Sequence, residues 1–201
     1  LVAGAVDPAA ARLAFRAAFP QISVRVTVQG PPGEVDRRLE AAAAALRARL
    51  GPYCYGEGNT TMEAEVGRLL RAAGATVGVA ESCSGGLIGH RLTDVPGSSA
   101  YLLGDVVAYS NAVKQAVLGV PATVLDAHGA VSRETAEAMA GGVRRLLGAT
   151  YGLATTGIAG PDGGTPDKPV GTVCIALDGP QGLRSHRYQL WGTRDWVKLL
   201  T

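Results

Sequence analysis

Thr76-Val77-Gly78-Val79-Ala80-Glu81-Ser82-Cys83-Ser84-Gly85-Gly86-Leu87-Ile88-Gly89-His90-Arg91 is the stretch around which the chain is organised. Thr76 to Ala80 is short, apolar and partly β-branched, which predicts a buried strand. The Ser/Gly run cannot continue that strand, and Leu87, Ile88, Arg91 and Leu92 open a helix. A tight strand-to-helix turn leaves backbone N–H groups unpaired and aimed at one spot, where the helix dipole also favours negative charge. Ser82 and Ser84 bring hydroxyls to the turn, Cys83 brings a thiol, and Gly85 and Gly86 allow close backbone approach. Such a turn builds an anion cradle, or a nucleophile beside an oxyanion hole. The plainer reading is a Gly-rich connection with an ordinary Ser N-cap.

Downstream, helix and strand patterns alternate, which argues for a layered α/β domain. Asp105 to Tyr109 reads as a strand, and Ser110-Asn111 caps a helix carrying Val113, Val117 and Leu118 up to Gly119. Lys114 lies one turn into that helix among apolar and small residues. It is either a surface lysine or a partly buried one with a lowered pKa, able to act as a base toward a serine. Ser132 caps an amphipathic helix running to about Leu147, and Tyr151 to Thr155 is a strand. That strand runs into Thr156-Gly157-Ile158-Ala159-Gly160-Pro161-Asp162-Gly163-Gly164, a loop where α/β domains bind ligands. The loop has neither P-loop nor dinucleotide-fingerprint spacing. Val170 to Leu177 and Leu183 to Leu190 form a strand pair, and Thr193 or Asp195 caps a last helix. Arg194, in the first turn of that helix, is placed for a phosphate or carboxylate contact or for the surface.

Upstream, a capping-box pattern at Thr60-Thr61-Met62-Glu63 opens a helix with Met62, Val66, Leu69 and Leu70 on one face, closed by Gly74. Gly56 to Asn59 marks a boundary. Before it, Pro8 to Phe19 has helix-forming content ended by Pro20, and Ile22, Val24, Val26 and Val28 alternate with polar residues as a half-buried strand. Glu34 to Leu50 reads as a helix, acidic first and basic last, with Arg37, Arg38, Arg47 and Arg49 on a solvated face. Tyr53 to Tyr55 is a short returning strand.

The 201 residues, 47% hydrophobic and 18% charged, describe an ordinary globular chain able to bury a core. A net charge of +2 without a Lys/Arg run argues against nucleic acid as a partner. Cys54, Cys83 and Cys174 lie far apart with no C-x-x-C, and His90, His128 and His186 form no ligand pattern, so a metal site is not expected. The odd cysteine count suits a reducing cytoplasm. No transmembrane run or signal peptide is present, so no membrane association is expected. The chain opens without Met and stops within a helical pattern, as expected for a piece of something longer.

Ala80-Glu81-Ser82-Cys83-Ser84-Gly85-Gly86, Tyr109-Ser110-Asn111 followed by Lys114, Leu118-Gly119-Val120, the loop Thr156 to Gly164 and Lys168-Pro169-Val170-Gly171-Thr172-Val173 together resemble one family. It is the C-terminal, nicotinamide mononucleotide deamidase domain of the CinA (competence/damage-inducible) proteins. The resemblance covers residues 59–201, and residues 1–58 resemble the linker domain that precedes it. It implies an α/β fold, a layered α/β/α sandwich preceded by a small α+β linker domain. It also implies hydrolysis of the carboxamide of nicotinamide mononucleotide to nicotinate mononucleotide and ammonia, in pyridine nucleotide recycling by a cytoplasmic homodimer.

By resemblance, Ser82 is the nucleophile, Lys114 and Tyr109 activate it, and the N–H groups from Cys83 through Ser84 and Gly85 to Gly86 hold the oxyanion. Thr156 and Gly157 hold substrate, and Arg194 meets the phosphate. No cofactor is implied for this reaction, and a metal requirement belongs to an N-terminal domain outside this sequence. Position 84 is Ser where the family has Thr, and Lys198 stands where a second Arg is common. The residues alone leave Ser82, Cys83 and Ser84 all open as nucleophile, because a thiol is intrinsically the better one. The rival reading is a non-catalytic nucleotide-binding or regulatory module, which would need the glycines but not Ser82, Tyr109 and Lys114 together.

Overall fold

The structure is a computed structural model and describes residues 2–201. Its contacts divide it into two compact units, the first ending at Met62 and the second running from Glu63 to Thr201.

In the first unit, β1 (Arg12–Ala18) pairs antiparallel with β2 (Gln21–Thr27), from Arg12 opposite Thr27 to Ala18 opposite Gln21. The helix expected over Pro8 to Phe19 does not form. The alternating strand after it needs a backbone partner, and this pairing outweighs the helix preference of a segment too short to hold a helix by itself. Helix α1 (Pro32–Leu50) follows, and a 3₁₀ turn at Gly51–Tyr53 replaces the expected strand at Tyr53 to Tyr55. The Arg38 guanidinium is not simply solvated. It donates to the carbonyls of Gln29 at 3.0 Å and Ala10 at 2.9 Å.

The second unit is a five-stranded mixed sheet between two layers of helix. Along the chain come α2 (Met62–Ala72), β3 (Val77–Glu81), α3 (Leu87–Thr93), β4 (Leu102–Val107), α4 (Asn111–Leu118), α5 (Ala122–His128) and α6 (Arg133–Leu147). Then follow β5 (Tyr151–Gly157), β6 (Thr172–Asp178), β7 (Arg184–Gln189) and α7 (Arg194–Leu200). The strand order is β4-β3-β5-β6-β7, with β3 parallel to β4 and β5, and β5, β6 and β7 antiparallel in turn. Strand β4 starts and ends earlier than its sequence suggests. Ala108 N–H still donates to Glu81 O at 2.8 Å, but Tyr109 has left the sheet. Helix α5 has no counterpart in the sequence reading. No helix among the described residues is long and apolar enough to cross a membrane.

Alternation along β3 builds both faces of the sheet. Ala80 joins Ala136, Met139, Ala140 and Val143 of α6 and Leu118 of α4 in one core cluster. Val77 and Val79 pack with Leu92, Tyr101 and Leu70 on the other face, and Val173 with Cys83, Ala159 and Val197 extends that layer under α7. Helix α6 lies close on the sheet because the facing residues are small. A Cβ on Gly152 would stand 2.1 Å from Ala140 O, and where α6 meets α4 one on Gly142 would stand 2.1 Å from Leu118 O. Backbone atoms cannot yield as a flexible side chain does. Gly152→Ala is therefore expected to destabilise this unit by about 2–3 kcal/mol. Urea unfolding checks this against Gly33→Ala, where a Cβ meets nothing within 4 Å and the change is at most about 0.5 kcal/mol destabilising.

Candidate active site

The three parallel strands β3, β4 and β5 end side by side, at Glu81, Val107 and Gly157. A cavity of about 290 Å³ opens just beyond these ends, lined among others by Ser82, Tyr109, Lys114, Thr156, Asp162 and Arg194. This is where an open α/β sheet collects ligand-binding residues from consecutive loops.

Ser82 is held as if β3 went on by one residue, since its N–H donates to Thr155 O at 3.0 Å. Ser110 Oγ accepts from Val113 N at 3.2 Å, which caps α4 and turns Lys114 toward the sheet. Lys114 is 1% exposed, and its Nζ donates to Ala108 O at 2.8 Å, Tyr109 O at 3.3 Å and Ser82 Oγ at 3.2 Å. These three acceptors are neutral, and Lys114 forms no ion pair among the described residues. Burial therefore holds its pKa below the ordinary lysine range, the lost hydration of the charged form outweighing the opposing effect of Cys83. The surface alternative for Lys114 is ruled out by its burial.

The three adjacent nucleophile candidates separate in space. Cys83 is buried among Ala159, Val173 and Val197, and burial pushes its thiol up to about 11. Ser84 is fully buried, and its hydroxyl is joined to Thr155 Oγ1 at 2.8 Å. Of the three, Ser82 is the one whose side chain meets Lys114.

Glu81 also changes the reading of the turn. Its side chain accepts from Gly86 N–H at 2.9 Å and from Gly89 N–H at 2.8 Å, so the protein's own carboxylate fills the start of α3. This leaves Cys83, Ser84 and Gly85 as the turn residues whose N–H groups donate to no backbone carbonyl among the described residues, those of Cys83 and Ser84 lying against the Cys83 sulfur. Sequence reasoning passed over Glu81; the available signal was a carboxylate directly before a glycine turn that lacks a side-chain cap of its own.

On the far side, Arg194 donates to Gly160 O and to the Tyr109 hydroxyl, both at 2.8 Å. Tyr109 thus meets Lys114 through its carbonyl while its hydroxyl faces Arg194. Thr156 Oγ1 donates to Ala130 O at 2.7 Å, and Gly157 lines the cavity. Gly157 has no room for a side chain, since a Cβ there would lie 2.8 Å from Thr172 O. Lys198 reaches the turn: a Cβ on Gly85 would stand 3.6 Å from its Nζ. Asp162 is a lining residue to which the sequence reading gave no part of its own.

Comparisons with known proteins agree with this architecture. Residues 59–201 match the model of the CinA C-terminal domain. A CinA-like protein of Geotalea uraniireducens (strain Rf4) is 47% identical over 203 residues, covering 100% of this chain and 48% of the relative. One of Desulfosudis oleivorans is 50% identical over 175 residues, covering 87% of this chain and 42% of the relative. The chain therefore spans about half the length of the curated relatives it matches. Among solved structures, the competence/damage inducible protein CihA from Agrobacterium tumefaciens is 39% identical with a TM-score of 0.66, covering 69% of this chain and 85% of that one. The competence damage-inducible protein A (ComA) from Klebsiella pneumoniae is 35% identical with a TM-score of 0.67, covering 69% and 86%. With a serine-bearing turn on a mixed five-stranded sheet and a family match over most of its length, the chain belongs to the CinA family.

Proposed function

We propose that this site hydrolyses a terminal carboxamide, that of nicotinamide mononucleotide, giving nicotinate mononucleotide and ammonia. The observation that carries the reading is the buried amine of Lys114, without a carboxylate partner among the described residues, 3.2 Å from the Ser82 hydroxyl. Burial loosens the lysine's proton, and in its neutral form the amine takes the proton from Ser82 as its Oγ forms a bond to the carboxamide carbon. The negative charge that develops on the carbonyl oxygen is received by the N–H groups of Cys83, Ser84 and Gly85. Lys114 returns the proton to the departing nitrogen, so ammonia leaves and an ester to Ser82 remains. Water then gives a proton to Lys114 while its oxygen attacks the ester carbon, and the proton passes back to Ser82 Oγ as the acid leaves.

Arg194 supplies the contact for the substrate's phosphate, with Tyr109 and the Gly160 carbonyl orienting its guanidinium. Arg194→Met is expected to raise KM for the mononucleotide by about tenfold or more, the loss of one charge-assisted contact, with kcat changed little. Ammonia release from the mononucleotide and from its dephosphorylated riboside tests this directly. The native protein should favour the mononucleotide and the variant should lose that preference. Equal turnover of both by the native protein would contradict the phosphate contact.

A further inference from the structure

Glu81 is fully buried at the end of β3, and among the described residues it forms no ion pair. Its backbone donors are Gly86 N–H and Gly89 N–H. Gly86 precedes α3 and has no side chain with which to cap it. Glu81 caps the helix in its place and so closes the turn 82–86 into a ring, with its backbone in β3 and its carboxylate at the far end.

A second carboxylate meets the first. Asp105 on β4 pairs with Val79, which puts it on the same sheet face as Glu81. It is open to solvent along the outer edge of the sheet, but its carboxyl end lies against α3: a Cβ on Gly89 would stand 2.3 Å from Asp105 Oδ2. Both acids therefore converge on Gly89, where glycine leaves them room. The cover of α3 over its carboxyl end, then the charge of Glu81 and a hydrogen bond with it, push the Asp105 carboxyl up to about 7 although the rest of the residue is exposed.

The charged groups on neighbouring elements are engaged elsewhere. Arg91 pairs with Glu63, His90 lies 3.8 Å from Asp94, Arg144 pairs with Asp178 across the sheet, Lys114 is bonded to Ser82 and two carbonyls, and Lys198 stands over Gly85.

We propose that Asp105 and Glu81 share one proton and that this bond positions the Ser82 turn. With the proton in place, Asp105 donates to Glu81, which stays aimed at Gly86 and Gly89. Without it, two anions face each other at Gly89 and the cap on α3 is strained. Asp105 binds its proton more tightly in the folded chain than an ordinary aspartate does. Its contribution to stability is therefore complete below the ordinary aspartate value and is lost as pH rises through about 7.

Two measurements that involve no turnover test this, so their outcome is separate from that of the proposed hydrolysis. The first is thermal unfolding of the native protein and Asp105→Asn between about pH 6 and about pH 8. The asparagine keeps a donor toward Glu81 but cannot titrate. The native Tm should fall over this range while that of the variant stays level, leaving the variant ~3–6 °C higher at the upper end. The second is amide hydrogen exchange on the native protein. Protection at Gly86 and Gly89 should drop several-fold over the same range relative to the amides of β3. Equal pH slopes of Tm in the two proteins, or unchanged protection at Gly86 and Gly89, would overturn the proposal.

Discussion

Ser82→Ala is expected to abolish the proposed amide hydrolysis, lowering kcat by about 10³-fold or more, while the protein should stay folded and still bind the mononucleotide. The backbone of Ser82 is fixed through its N–H to Thr155 O, which the substitution leaves intact. The lost hydroxyl removes one of three acceptors from Lys114, which keeps the carbonyls of Ala108 and Tyr109. Stability should therefore change by less than about 1 kcal/mol. The matched control is Cys83→Ala. This thiol, pushed up to about 11 by burial, holds almost no thiolate at neutral pH, so its removal should leave most of the activity in place. Steady-state ammonia release and direct titration with the mononucleotide separate the chemical step from binding. Full activity in Ser82→Ala with none in Cys83→Ala would reverse the assignment.

Lys114→Met is the second large effect, with kcat expected to fall by about 10²–10⁴-fold, the usual range for loss of a general base. Methionine matches the length of the aliphatic stem but cannot take a proton. Arginine would not rescue the variant, because it stays charged. The sign of the pH dependence follows from burial. Lys114 gives up its proton more readily than an ordinary lysine, so the native rate should rise with pH on a limb centred below the ordinary lysine value, then level off. The limb should be absent from the residual activity of Lys114→Met. Circular dichroism checks that the variant is folded, since two carbonyls lose their donor. A native profile without a rising limb would remove Lys114 as the base.

Much of the sheet was legible because its signals are local. β3 with its Ser/Gly turn, Ser110 and Ser132 as helix caps, and the strand pair β6–β7 all follow from short-range pattern. β1 was not legible, because its Ala-rich segment becomes a strand only by pairing with β2, a choice no local preference records. Lys114 was the harder case. A lysine in an apolar helix reads as exposed until the fold brings Ser82 and the Ala108 carbonyl within reach of its amine. Ser82, Cys83 and Ser84 were equivalent as sequence, and only the turn sends one toward the lysine, one into the apolar layer and one to Thr155. The Glu81–Asp105 pair was hidden for the same reason, since it depends on β4 lying beside β3 and on the room at Gly89.

The most direct test of the central claim is ammonia release from nicotinamide mononucleotide by the purified chain in the presence of EDTA, with Ser82→Ala measured in parallel. Release that persists with the chelator and disappears in the variant is the predicted result. No release from the folded native chain, or equal release from the variant, would contradict a serine–lysine amidohydrolase at this site.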